Sequence, residues 1–542
     1  MTPTQALLLA TPGLPLGLLF ACLWQGPRRR LPALLWLAPL PGLAAALLAS
    51  GGPPLVLDPT RLRFTLALDA PSGLLLGVVA LLWSGAGAYA HGYFARTAGT
   101  ERFALWWLAT LSGSLGVFVA GDLASFYLAF ALVSLPAFGL IVQDGTPRAY
   151  RAGEVTLLLA LMGEVALLLG FALLADAVPG PSLAIADALA ALPGSPARGL
   201  AIGLLIAGFG LKAGLVPLHV WLPLAHPAAP MPASAVLSGA IVKAGILGLL
   251  RFLPVDGGLA DWGAVLAGIG LVTAFWGVGC GITQDNPKTV LAYSTVSQMG
   301  VTAAALGMGL VLAAPGTAMA VAFYALHHVL AKGALFLAVG VAVTGPARRW
   351  GLVLLPALVL ALGFGGMPGT GGALAKLAVK PQLGAGLVGL AATLSALGST
   401  VLMLHFIRRL AAMRGASRPT PLLLLLVWLG MAGAALLLPW MLYRPLGLGD
   451  PWTALGKDAG AALWPVLAGA AIAAALARWG GRLPVVPEGD LLVLTDRARR
   501  AGYAFAAAVG RLEAALRPWP AAGLALLVLV LALAVTMLAA TR

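Results

Sequence analysis

The chain has 542 residues, 61% of them hydrophobic and 9% charged, with a mean hydropathy of +0.98 and a formal net charge of +15. A soluble domain carries about 25% charge, so the composition excludes a large soluble domain and predicts an all-α, polytopic membrane protein. The positive charge reads as arginine-bearing loops on one face of a bilayer, not as a nucleic-acid surface.

At roughly 20 apolar residues per crossing, candidate spans fall at 5–24, 31–50, 72–93, 103–120, 122–142, 154–175, 199–219, 231–253, 262–283, 289–313, 316–344, 351–367, 372–407, 421–443, 460–478 and 521–541. That gives about 14 to 16 transmembrane helices. The segment 5–24 lacks a basic leader and a cleavage site, and is read as a first span. Arginine-bearing connections at 25–30, 94–102, 143–153, 345–350, 408–418 and 479–520 alternate with poorer ones along the whole chain, which supports the count of spans. The stretch 480–519 mixes charge with apolar residues at helical spacing and predicts an amphipathic helix on the membrane or on a neighbour. Cys22 and Cys280 lie inside apolar runs and imply neither a disulfide nor a metal site.

The 33 basic residues include only seven lysines: Lys212, Lys243, Lys288, Lys332, Lys376, Lys380 and Lys457. Six of them sit in or beside apolar segments, while arginine supplies the loops. A lysine at bilayer depth costs several kcal/mol unless paired, hydrated or neutral, and lysine gives up its proton on desolvation where arginine does not. The stretch 204–252 places Lys212 and Lys243 on apolar helices either side of a proline-rich connection, which reads as two stations on a proton path. His328 and Lys332 are four residues apart and share one helix face, as a relay between side chains needs. Lys212 precedes Pro217 by five residues and Lys376 precedes Pro381 by five, an echo that suggests two interrupted helices in two halves. Gly365 to Gly372 follows no strand and reads as a helix break, not a nucleotide loop.

Three strings, GLKAGLVPLHVWLPLAHPAAPMPASAVLSGAIVKAGILGLLRF, TQDNPKTVLAYSTVSQMG and HHVLAKGALFLAVG, resemble the antiporter-like subunits of respiratory complex I. The same family includes large subunits of multisubunit cation/proton antiporters and of membrane-bound hydrogenases. The resemblance covers about 120–410. It implies two inverted repeats with broken helices, divided here as N-terminal helices 1–120, a first repeat 121–255, a second 256–410 and C-terminal helices 411–542. By motif, it puts Lys212 on the first broken helix, Lys243 on the next, and His328 with Lys332 on a central helix. Lys376 takes the second broken helix, with Lys380 close enough to leave the working lysine open, and Lys288 sits in the motif spanning Asp285 to Ser294.

The chain also departs from the family. In the register set by Pro136, Phe130-Ala131 stand where the family has Trp-Glu, and Leu224 replaces an acid in the sequence Leu222 to Ala225. The lost glutamate normally pairs with the first broken-helix lysine. Glu164 is the candidate replacement: ten residues beyond Glu154, it lies about 15 Å along its helix, with no local partner. His219, His226, Asp122, Lys288, Lys380 and His405 complete the candidates, for proton uptake, release or coupling. Five of these have a plainer alternative: His219 and His226 can hold the break, Asp122 can cap its helix, and Lys288 and His405 can anchor at the headgroups.

The expected function is proton translocation by a membrane subunit of a larger complex, along a lysine, histidine and water relay, with sodium exchange as a variant. The alternatives are the membrane subunit of an inorganic-carbon uptake system and a non-conducting scaffold. No ligand set for a metal, haem, flavin or iron–sulfur cluster is visible, so no cofactor is expected and redox chemistry would belong to partner subunits. The expected surroundings are other membrane subunits, the lipid bilayer and protons, without nucleic acid.

Overall fold

An apolar segment in a bilayer must satisfy its backbone internally, and this chain does so almost entirely with helices. The computed structural model describes residues 1–57, 64–95, 97, 100–344, 350–413, 421–480, 484–492, 506–508, 510, 511 and 514. Met1–Glu488 form one compact unit and Gly489–Arg542 a second. The candidate residues all lie in the first.

The N-terminal part comprises α1 (Pro3–Ala21), α2 (Gln25–Arg30), α3 (Leu40–Leu48), a short antiparallel pair β1 (Leu55–Leu57) and β2 (Phe64–Leu66), then α4 (Ala70–Tyr93). Next come α5 (Thr100–Val119), α6 (Leu123–Ser134), α7 (Ala137–Ile141), α8 (Pro147–Asp176) and α9 (Ile185–Ala191). The first broken helix is α10 (Arg198–Ala213) with α11 (Trp221–Ala228). α12 (Met231–Val236) and α13 (Val242–Phe252) are joined by a π-helical turn over Leu237–Ile241. There follow α14 (Ala260–Gly281), α15 (Pro287–Val311), α16 (Thr317–Thr344) and the second broken helix, α17 (Trp350–Gly365) with α18 (Gly371–Leu383). α19 (Leu387–Ala412), α20 (Leu422–Tyr443) and α21 (Pro451–Trp479) close the series.

Among the described residues, 12 helices are long and apolar enough to span a membrane. This is a multi-pass, all-α membrane protein. The difference from 14 to 16 has local causes. Span 31–50 is broken up, leaving only the nine residues of α3, and 199–219 stops at Ala213. Span 351–367 yields a 16-residue helix, and 372–407 is two helices parted at Gly384. The span 521–541, the connection 345–349 and most of the amphipathic segment 480–519 lie outside the described residues.

α16 runs through the middle, packed on α4, α12, α15, α18 and α20, and 94% of its most apolar stretch is buried; the figure for α21 is 17%. α14 and α15 pack most closely. A Cβ on Gly270 would meet the Ala304 nitrogen at 2.5 Å, one on Gly277 the Ser297 nitrogen at 2.6 Å and one on Gly300 the Ala274 nitrogen at 2.5 Å. Small residues at seven-residue spacing let two backbones approach this far in a membrane, and they fix α15 as a rigid wall. On the far side, the partly buried Arg251 ends α13 by donating to Ser72 Oγ (2.7 Å) and to the carbonyls of Phe118 (2.9 Å) and Ala120 (2.6 Å).

Candidate functional site

The first break forms because Gly214 adopts φ +82°, a left-handed conformation that costs glycine little and caps α10. Leu215 N–H bonds back to the Gly210 carbonyl at 2.8 Å, Trp221 Nε1–H donates to the Leu211 carbonyl at 3.0 Å, and Val216 N–H donates to Thr273 Oγ1 at 3.0 Å. These bonds satisfy the backbone groups that the interruption frees. Lys212 therefore sits in the last turn of a half-helix, where carbonyl dipoles favour a cation.

Its ammonium donates to Ser134 Oγ at 3.0 Å, and Ser134 in turn donates to the Phe130 carbonyl at 3.0 Å. The Phe130 ring centroid lies 5.8 Å from Lys212 Nζ, so this ring faces the lysine. Glu164, 5% exposed, comes from α8, lies within electrostatic range of Lys212 and approaches the Ser134 hydroxyl. α8 starts at Pro147, not near Glu154, so Glu164 is 17 residues in, about 25 Å along a 30-residue helix. Beside it Gly163 lies against the Gly208 carbonyl of α10, with 3.5 Å left for a Cβ.

α13 approaches α10 through Gly245, whose Cβ would meet the Ala213 nitrogen at 2.6 Å. This crossing sets Lys243 next to the first break. Lys243, fully buried, shares a proton position with His328 Nδ1 at 2.9 Å and lies 3.4 Å from Met299 Sδ. The π-helical turn ends just before Lys243, and such turns recur at functional sites. His328 Nε2 is buried without a hydrogen-bond partner. One turn along α16, Lys332 is also fully buried; it donates to the Leu291 carbonyl at 3.1 Å and lies 4.8 Å from the Phe364 centroid. His327 faces the same ring at 5.3 Å and interacts electrostatically with Lys376.

The second break follows Phe364. Gly366 and Gly369 have φ of +93° and +84°, and α18 begins at Gly371 and runs straight through Pro381. The glycine break expected at 365–372 is there; the one inferred from Pro381 is not. Pro381 comes two residues before the end of α18, where there is little helix left to interrupt. Lys376 lies beyond the break and lines a cavity of about 160 Å³ with Tyr324, Lys380 and Asp458. Lys380 and Asp458 pair at 2.5 Å with both side chains partly exposed. Tyr324 O–H donates to Gln298 Oε1 at 2.6 Å, and Gln298 Nε2 donates to Ser399 Oγ at 2.9 Å.

The outlying candidates are distributed around this row. His226 is buried against Phe336, ring centroids 4.9 Å apart, with neither nitrogen hydrogen-bonded, in electrostatic range of Lys288, Lys332 and His328. Lys288, in the first turn of α15, is buried and donates to the carbonyls of Ala229 and Pro227. Next to it Thr289 Oγ1 donates to Glu488, which also pairs with Arg148 at 2.5 Å. His219 is buried, 6.3 Å from the Trp276 ring. His405 bonds the Gln284 carbonyl at 2.7 Å beside Arg408, away from the central row. Asp122 caps α6 through Ser125 and accepts Thr65 N–H at 2.6 Å, which ties α6 to β2.

Sequence reasoning missed His327, Ser134, Met299, Gln298, Tyr324 and Asp458. The double histidine at 327–328 was the one available signal among these. Among the described residues, no three His, Cys, Asp or Glu side chains group as a metal site.

The structure is thus a multi-pass helical membrane protein with two broken helices and a buried row of lysines and histidines between them. Residues 120–380 match the family described as NADH:quinone oxidoreductase/Mrp antiporter, TM, and this segment belongs to it. The chain is 31% identical over 290 residues to hydrogenase-4 component B of Escherichia coli (strain K12), covering 51% of this chain and 43% of that protein. It is 35% identical over 295 residues to NADH-quinone oxidoreductase subunit N of Heliobacterium modesticaldum, covering 51% and 61%. It thus spans about half the length of the curated relatives it matches. Its fold resembles a chain of the Mrp complex from Dietzia sp. DQ12-45-1b, with a TM-score of 0.79 at 21% identity over 100% of this chain and 63% of that one.

Proposed function

We propose that the chain is a proton-translocating membrane subunit of a larger complex in a bacterial cytoplasmic membrane. Protons pass from the Glu164–Lys212 pair to Lys243 and His328, then by Lys332 and His327 to Lys376, with water filling the gaps. The reading rests above all on one observation: a 2.9 Å lysine–histidine contact, fully buried and continued by Lys332 one turn away. Ionisable groups buried within a membrane protein are expensive, and such residues mark ion pathways and proton relays. Each transfer needs a neighbour able to take the proton, and the Lys243–His328 contact offers that exchange directly. Two runs of five membrane segments, α5 to α13 and α14 to α19, each have a broken helix in fourth place, which supports a pair of inverted repeats. The larger complex, by this reading, is of the kind to which hydrogenase-4 component B and Mrp subunits belong.

Co-reconstitution of the chain and its co-purifying subunits into vesicles with an internal pH dye provides the test. Lys243→Ala is expected to cut proton flux about a hundredfold, the usual contribution of a positioned proton-transfer group, with the subunits still co-purifying. Flux at the parental rate in that variant overturns the relay. A flux that requires sodium on the opposite side would make the subunit an exchanger. The second reading, a non-conducting scaffold, is favoured by Ala131 and Leu224, where two family acids are absent. It predicts no flux in the parent chain either.

A further inference from the structure

α14, α19 and α21 end near one membrane face, and a cavity of about 590 Å³ lies between them. Its polar end is formed by Asp285, His405, Arg408 and Arg409. Below that, Val401 and Leu404 of α19 face Ala470, Ala473, Ala474 and Ala477 of α21. Both sets follow the one-face spacing of a helix, so the apolar walls are continuous. Seven residues separate Arg408 from Val401, and seven separate Ala477 from Ala470, about 10 Å of depth on each side.

The charge at the polar end is not balanced. Arg409 pairs with Asp285, and its Nε is buried with no hydrogen-bond partner. His405 Nε2–H donates to the Gln284 carbonyl at 2.7 Å, which leaves Nδ1 to accept from Arg408 at 3.2 Å, so the ring is the neutral tautomer and contributes no charge. Two guanidinium groups thus face one carboxylate. Overhead, Val485 lines the cavity, and Gln284 Nε2 donates to the Val486 carbonyl at 2.8 Å, holding these two residues at the polar end.

We propose that this cavity binds an anionic phospholipid. Its phosphate sits between the guanidinium groups of Arg408 and Arg409, and the upper part of one acyl chain lies along the alanine face of α21. A free phosphate would satisfy the arginines and leave the 10 Å apolar wall unused. An uncharged lipid would fill the wall and leave the cationic end unpaired. Only an amphiphile carrying negative charge matches both, and the Arg-rich face of a membrane protein is where anionic headgroups gather.

The test is native mass spectrometry of the delipidated full chain in detergent, titrated separately with phosphatidylglycerol and phosphatidylcholine. Phosphatidylglycerol should bind at concentrations where phosphatidylcholine does not, and millimolar inorganic phosphate should fail to displace it. Arg408→Ala should weaken phosphatidylglycerol about fivefold, the effect of one basic residue at an anionic headgroup. Ala473→Leu, which narrows the apolar wall without touching charge, should weaken it as well. Equal binding of the two lipids, displacement by phosphate, or parental binding in both variants overturns the proposal. Should Arg408→Ala fail to fold, the lipid comparison in the parent chain and in Ala473→Leu decides it.

Discussion

At the first helix break Lys212 closes the last turn of α10, donates to Ser134 at 3.0 Å and has the buried Glu164 in electrostatic range. At the second, Lys376 lies beyond the break on α18, beside a cavity whose other charged lining residues are Lys380 and Asp458. The first lysine is held in a closed packing of α6, α8 and α10, where an ion needs a fixed partner. The second borders open space, where water can stabilise its charge. One lysine should therefore depend on a single named acid, and the other should not.

The sharpest break of that comparison is Glu164→Gln. Glutamine keeps the shape of the side chain and removes the counter-charge, and a charge interaction worth one pKa unit is a tenfold change in equilibrium. Proton flux in reconstituted vesicles is expected to fall by about tenfold or more, with unchanged co-purification. Ala131→Glu added to that variant should restore part of the flux, because position 131 is one turn from Ser134 on α6. Normal flux in Glu164→Gln would show that Lys212 does not rely on this acid.

The glycines at the two breaks sharpen the contrast. Gly214 has φ +82°, and an added Cβ would lie 2.1 Å from Leu222 Cδ1; Gly366 has φ +93°, and its added Cβ would lie 2.8 Å from Lys376 Cδ. Both carry the backbone strain of a left-handed alanine, about 1–3 kcal/mol. Gly214→Ala adds a clash in a packed core, so its larger effect should be on thermal stability. Gly366→Ala can relax by moving the lysine, so it should lower flux more than it lowers the melting temperature. Equal behaviour of the two variants would mean that the breaks are built alike.

These breaks also mark the limit of what the sequence could say. Lys212, Lys243, Lys332 and Lys376 were legible because a charge inside an apolar run is itself the signal. Glu164 was legible for the same reason, although its helix start was misjudged: the arginines at 148 and 151 read as loop, yet belong to the first turns of α8. The Lys-to-Pro echo misled, since left-handed glycines stop both helices and the Pro381 ring falls where α18 is already ending. Ser134 was invisible because a hydroxyl in an apolar helix usually bonds its own backbone. The π-helical turn at 237–241 has no composition of its own, and the Gly270, Gly277 and Gly300 contacts need two helices to be seen at once. β1 and β2, three residues each, are too short to stand out from neighbouring apolar runs.

The smallest expected effect concerns the mouth of the second cavity. Lys380 and Asp458 pair at 2.5 Å, with their side chains 55% and 29% exposed. An ion pair so exposed stabilises by no more than about 1 kcal/mol, so Asp458→Asn should leave the melting temperature almost unchanged. Its influence on flux depends on whether Lys376 exchanges protons through this cavity. If it does, removing the acid leaves Lys380 unpaired beside the opening and adds positive charge against an emerging proton. That effect is bounded by the same 1 kcal/mol, a factor of about five in rate, and salt should diminish it because the pair is in contact with solvent. Glu164→Gln, by contrast, should be insensitive to salt, since its partner is enclosed. A loss of flux in Asp458→Asn as large as that of Glu164→Gln, or one unaffected by ionic strength, would show that the second lysine is as strictly paired as the first.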